Sequence, residues 1–176
     1  MSVTSFLMFR RFLSRKQPTE PYTKSIKAGV GGAIAIATLV LLGHISDSPL
    51  LMAPFGATCV LLFSLPQSPL SQPINVIGGH LVSIAIGLAL HSFLPFEWWS
   101  VGLAVGLAIT MMAILRVTHP PAGADPLVVF FSNPGWEYLI FPVAIGSVIL
   151  VIVAWSFHKL PPQTIYPMPA EHPTKQ

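Results

Sequence analysis

Residues 117–132 read VTHPPAGADPLVVFFS, and two of them, His119 and Asp125, carry groups that can take up or give away a proton. His119 could relay protons, donate a hydrogen bond to a bound solute, or cap its own backbone. Asp125 could cap the helix that follows it, pair with Arg116, or become protonated. A second group of interest lies earlier, at Pro54-Phe55-Gly56-Ala57-Thr58, with Asn75 and His80 following on the next apolar segment. A metal site drawn from His44, His80, His91, His119 and Asp125 lacks any recognised ligand spacing. Neither a metal nor another cofactor is expected.

The elements that hold these residues are apolar. Of 176 residues, 53% are hydrophobic and 9% charged, against roughly 25% charged in soluble domains. Between Ala28 and His158 the charged residues are Asp47, Glu97, Arg116, Asp125 and Glu137, so long stretches carry none. A helix crosses a bilayer core with about 20 such residues. The chain is therefore read as an integral membrane protein, with spans at Ser25–Gly43, Ile74–Leu94, Trp98–Leu115 and Tyr138–Phe157. Ala28/Gly32, Ala33/Ala37 and Gly102/Gly106 are small residues four apart, a spacing that lets helices approach closely.

The net charge of +3 is concentrated at one end. Arg10, Arg11, Arg15, Lys16, Lys24 and Lys27 precede the first span, which reads as a positive flank holding the N-terminus in the cytoplasm. A nucleic-acid arm is the sharper alternative, but no basic surface elsewhere supports it, and no nucleic-acid partner is expected. Residues 5–13 form a short basic amphipathic segment suited to a membrane surface, without the apolar core of a cleaved signal. The single Cys59 is read as a packing residue. Residues 1–24 are thus a basic cytoplasmic segment, 25–159 the transmembrane domain, and 160–176 a Pro-rich, extended tail.

The two Pro/Gly-rich groups belong to an internal repeat. An offset of 67 residues places Pro54 on Pro121, Gly56 on Gly123, Ala57 on Ala124, Phe63 on Phe130 and Gly79 on Gly146. Each half, about 25–94 and 98–159, then runs span, broken short helix, span. If the short helices cross, the second half is inverted relative to the first, and Arg116 and Lys159 fall inside. If they are shallow re-entrant loops, Arg116 falls outside. The positive-inside rule favours inversion. The expected fold is an all-α integral membrane protein with four full transmembrane helices plus two broken short helices, arranged as two inverted repeats.

Irregular backbone survives in hydrocarbon only where it is buried or lines a polar cavity. Proline suits the first helical position, because its missing N–H would be unpaired there anyway. Pro54 and Pro120 or Pro121 therefore start short helices at Phe55–Leu65 and Ala122–Phe131. Chains entering from opposite sides bring both N-termini to mid-membrane, each with about half a positive charge. Paired broken segments in corresponding places of two halves point to a transporter's substrate site. Pro54, Phe55, Gly56, Ala57, Thr58, Asn75, His80, His119, Pro120, Pro121, Ala122, Gly123, Ala124 and Asp125 are the candidate substrate-binding residues. The competing reading makes PPAG a tight cytoplasmic turn.

THPPAGADPL, APFGAT and SPLSQPINVIGGH together resemble the HPP family of small integral membrane proteins, over roughly residues 22–167. Similar members in cyanobacteria and chloroplasts are implicated in nitrite transport, and the resemblance implies that activity here. The first function considered is a transporter or channel for a small monovalent anion, nitrite foremost, with or without proton coupling. Its expected location is the bacterial inner membrane, and its partners are the anion, the bilayer and, as a further candidate, a second copy of the chain. The alternatives are an intramembrane enzyme using His119 and Asp125, and a structural subunit docking helices at Gly102/Gly106. The enzyme lacks a convincing nucleophile or metal, so no enzymatic activity is expected.

Overall fold

The structure, a computed structural model, describes residues 3–169, with side chains from residue 8 onward. Seven helices are described: α1 (Val3–Leu13), α2 (Tyr22–Ser46), α3 (Pro54–Ser64), α4 (Pro73–His91), α5 (Trp98–Ile114), α6 (Asp125–Ser132) and α7 (Ile145–Phe157). No strand occurs among the described residues. Short 3-10 turns at Pro69–Ser71 and Pro120–Ala124 precede α4 and α6.

Local chemistry sets most of these boundaries. Pro54 and Pro73 occupy first-turn positions of α3 and α4, where no amide is needed. At the start of α5, the Glu97 amide donates to Ser100 Oγ at 3.1 Å, within a capping box. Helix α2 stops at Asp47, whose left-handed backbone (φ 52°) turns its N–H back onto the Gly43 carbonyl. Asn133 closes α6 in the same way, at φ 47°.

Three helical stretches are long and apolar enough to cross a membrane: Tyr22–Ser46, Pro73–His91 and Trp136–Phe157. Helix α5, at 17 residues, is a shorter apolar helix, roughly 26 Å at helical rise. The outward faces are apolar, with Ile34, Val40, Leu41, Leu103, Leu107, Ile109, Val148 and Ile152 exposed. Meanwhile Thr58, Ser83, His80, His119, Asp125 and Ser147 are wholly buried. Apolar outside with polar groups inside is the arrangement a bilayer selects.

The elements exchange partners between the halves: α4 packs on α5 and α6, while α7 packs on α2 and α3. At one end of the bundle Lys27 Nζ donates to the carbonyls of Leu160 and Pro162, both at 2.6 Å. At the other end His91 packs against Phe130 and Phe96 against Phe131.

Several expectations are revised. The first span is longer than Ser25–Gly43 and runs Tyr22–Ser46. Its buried stripe is Gly31, Ala35 and Leu39 rather than either pair expected, since Phe63 and Phe157 press on Gly31 while Ala33 and Ala37 are exposed. In α5 the buried small residues are Ser100, Ala104 and Ala108, and Gly102 and Gly106 face outward. The last span is not uniform: Phe141 leaves helical geometry (φ −119°, ψ 116°), because the next residue, Pro142, disfavours it. Within the tail, residues 160–169 dock back. Tyr166 is buried and donates to the Ser71 carbonyl at 3.0 Å, and the Met168 amide donates to Gln72 Oε1.

Candidate functional site

Helix α4 carries the scaffold of the site on one face. Gly79 leaves no side chain where His119 passes: a Cβ there would lie 2.7 Å from His119 Cβ and 2.9 Å from the Val117 carbonyl oxygen. The non-helical stretch around the prolines is thereby drawn against α4, which supplies its missing hydrogen bonds. Asn75 Nδ2 donates to the Thr118 carbonyl at 3.0 Å, and Ser83 Oγ donates to the Ala122 carbonyl at 2.6 Å. Irregular backbone at membrane depth needs this support.

The same offset of 67 residues recurs in space. Gly146 of α7 sits against Leu50 and Phe55, its would-be Cβ 2.8 Å from the Leu50 carbonyl oxygen. Gly79 stands to Val117 as Gly146 stands to Leu50. Each broken segment therefore leans on a glycine of the helix that follows the other short one.

Four polar side chains meet between these elements. Thr58, one turn into α3, places Oγ1 2.8 Å from His80 Nε2 and 3.0 Å from His119 Nε2. A longer contact joins Thr58 Oγ1 to the Pro54 carbonyl at 3.3 Å. His80 Nδ1 lies 2.8 Å from Asp125 Oδ2. His119 Nδ1 lies 2.8 Å from the Leu70 carbonyl, in the turn before α4. Phe55 closes the cluster, edge-on to the His80 ring at 5.1 Å. All four polar residues are 0% exposed, and Asp125 Oδ1 has no partner.

Asp125 thus pairs with His80. It neither pairs with Arg116, which is exposed with a left-handed backbone, nor caps α6 through its side chain. Asn75 binds backbone. Ala122 contributes a carbonyl, while Gly56 and Ala57 turn away from the cluster and are exposed. Ser83, Leu70 and Tyr138 were not singled out in the sequence. Ser83 could have been, because it lies three residues beyond His80 and so shares its helical face. No group of three or more His, Cys, Asp or Glu among the described residues is arranged to hold a metal.

On the far side of α3 and α6 lies an open groove of about 840 Å³. Its lining comes in pairs at the repeat offset: Ala53 and Pro120, Pro54 and Pro121, Ala57 and Ala124, Val60 and Leu127. Gly56 and Gly123 both face open space. The groove differs from the expected anion cradle, because its walls are carbon and several first-turn amides are already used. Phe55 N bonds Met52 O, Gly56 N bonds Ala53 O, and Ala122 N bonds His119 O. The polar chemistry sits behind the groove.

Helices with a lipid-facing apolar surface, folded around buried ionisable groups, define an integral membrane protein. The chain belongs to the HPP transmembrane family: the family described as "HPP, transmembrane region" matches residues 17–167. It is also similar to two proteins of Dictyostelium discoideum described only as transmembrane proteins. One is 34% identical over 126 residues, covering 67% of this chain and 40% of the relative; the other is 29% identical over 126 residues, covering 67% and 44%. The matched region is thus less than half of each relative's length. No solved structure matches.

Proposed function

We propose that this chain is a transporter or channel for a small monovalent anion, nitrite first among the candidates, in a plasma membrane such as the bacterial inner membrane. The observation that carries this reading is the wholly buried Thr58–His80–His119–Asp125 cluster between two broken helices. Ionisable side chains are costly inside a membrane protein and mark solute or proton pathways. The open space over Gly56 and Gly123 gives a small solute access to the backbone of the groove wall, behind which that cluster lies. Coupling to protons follows from Asp125, since an ionised carboxylate repels the anion and a protonated one does not. No enzymatic step is assigned, and a second copy of the chain is a candidate partner.

The inverted arrangement of the halves is part of this proposal. It is supported by the exchanged packing of α4 and α7 and by the matched Gly79 and Gly146 contacts. It expects a cysteine beside Arg116 to react with a reagent on the cytoplasmic side; reaction from outside alone overturns it. The transport reading is tested with purified protein in liposomes offered nitrite, nitrate, formate and chloride. Nitrite flux above protein-free vesicles is expected, and no flux of any of the four refutes the reading.

One observation favours an enzyme as the second reading. Thr58 hydroxyl, His80 Nε2, His80 Nδ1 and Asp125 fall in the order of a nucleophile–base–carboxylate triad. Against it, the Thr58 hydroxyl is fully buried and shared with His119. Labelling of Thr58 by a fluorophosphonate would establish this reading over transport.

A further inference from the structure

We infer that Thr58 joins Asp125, His80 and His119 into a directional proton relay, in which one proton arriving at Asp125 Oδ1 becomes one positive charge on His119. The inference rests on the transport reading for its purpose, and on hydrogen-bond accounting for its form. A carbonyl oxygen only accepts, so the Leu70 carbonyl fixes the proton of neutral His119 on Nδ1. His119 Nε2 is then an acceptor and receives the Thr58 hydroxyl proton at 3.0 Å, the shorter of that hydroxyl's two acceptor contacts, the Pro54 carbonyl being 3.3 Å away. Thr58 has one proton to give, so its oxygen accepts from His80 Nε2–H. His80 Nδ1 is left facing Asp125 Oδ2 across a single shared proton. The directions along His119, Thr58 and His80 Nε2 follow from the Leu70 carbonyl and the shorter of the two Thr58 contacts.

The far end of the relay has an unused acceptor. Among the described residues Asp125 Oδ1 is the one polar atom of this cluster without a partner, so it is where a protic donor, water or the conjugate acid of the solute, can dock. When a proton binds Oδ1, the Oδ2–H bond breaks and His80 Nδ1–H forms. Then His80 Nε2–H breaks as Thr58 O–H forms, and the original Thr58 O–H breaks as His119 Nε2–H forms. One proton enters, the three hydrogen bonds between Asp125 and His119 reverse, and the charge rests on His119 against the Leu70 carbonyl. The groups around the relay are few. Tyr138, from the turn before α7, is a further titratable side chain near Asp125, and Cys59 adjoins Thr58 on α3. Among the described residues the ion pairs are Lys24–Glu20 and His80–Asp125, so no arginine or lysine is paired to the cluster.

Thr58→Val keeps the side-chain shape and removes the hydroxyl; Thr58→Ser restores it. Protein labelled with 15N-histidine in bilayers, with His119→Gln to assign the signal, reports the charge on His119 as pH is lowered. Wild type and Thr58→Ser should gain the second His119 proton together. Thr58→Val and Asp125→Asn should displace that titration by more than about one pH unit, a tenfold change in proton affinity. In liposomes, Thr58→Val should lower proton uptake accompanying nitrite about 10-fold or more, within the range a positioned proton-transfer group supplies. An unchanged His119 titration in Thr58→Val, or failure of Ser to restore it, overturns the relay. Intact coupling by NMR with no wild-type flux of any anion refutes the transport reading and upholds the relay.

Discussion

The two broken elements follow the same path and carry different chemistry. Pro54 and Pro121, Gly56 and Gly123, and Ala57 and Ala124 play matching parts along the groove between α3 and α6. On the buried side the match ends. Thr58 occupies the position equivalent to Asp125, Met52 that of His119, and Ser147 that of His80. Thr58 and Asp125 contact opposite nitrogens of the one histidine, His80. Ser147 instead donates to its own helix, at the Ala144 carbonyl, and Met52 is packed in the apolar core. Backbone geometry is a shared property of the halves, set by proline and glycine. The buried titratable side chains His80, His119 and Asp125 are concentrated in a single asymmetric cluster, which avoids burying a second carboxylate–histidine pair.

Substituting across this asymmetry should give the largest effect. His80→Gln removes the junction of the cluster and should lower anion flux about 100-fold. Ser147→Ala, the mirrored change, should leave flux near wild type. Equal losses from both would show that the halves share the work. A smaller effect is expected at the shared glycines of the groove. Gly56→Val and Gly123→Val place side chains in open space, so folding stability should move by under about 0.5 kcal/mol. Uptake should nevertheless fall in both, by about tenfold or more if solute approaches this backbone. Wild-type flux in both variants removes the glycines from the path.

The next comparison is structural. Alanine at Gly79 or Gly146 would push a methyl against a backbone oxygen, at 2.9 and 2.8 Å. Each should destabilise the protein by about 1–3 kcal/mol, the usual cost of overpacking, as read by thermal unfolding in detergent. A clear loss at one position alone would break the spatial equivalence of the halves. The smallest effect concerns the docked tail. Burial lowers the His158 pKa, the Leu62 hydrogen bond opposes that shift, and the Lys27 charge adds to it. Its Nε2 lies 2.9 Å from the Leu62 carbonyl, and its Nδ1 has no partner. The unfolded state therefore takes up this proton first as pH falls below about 6.5. Stability should be constant above that value and decline below it. His158→Phe should flatten the slope between pH 7.5 and 5.5; an unchanged slope assigns the acid sensitivity elsewhere.

The sequence alone determined the solvent, the helical class and the broken segments. Apolar runs without charge dictate helices in lipid, and proline and glycine mark where backbone cannot continue as helix. These are local properties, legible one segment at a time. It also named Thr58, His80, His119 and Asp125 among the candidates, without showing that they touch. Their partnership was not legible, because the residues lie on four separate elements and their contacts depend on how α4 sits against the stretch around Pro120. For Asp125 the sequence offers a helix cap, a pairing with the nearby Arg116, or protonation, whereas packing places His80 beside it, 45 residues away. Pro142 is the local signal for the break at Phe141, within the expected span Tyr138–Phe157. Leu70 left no signal at all, since a backbone carbonyl is the same in every residue. Only the tertiary structure brought that oxygen to His119, and with the Thr58 contacts decided which way the protons along His119, Thr58 and His80 Nε2 point.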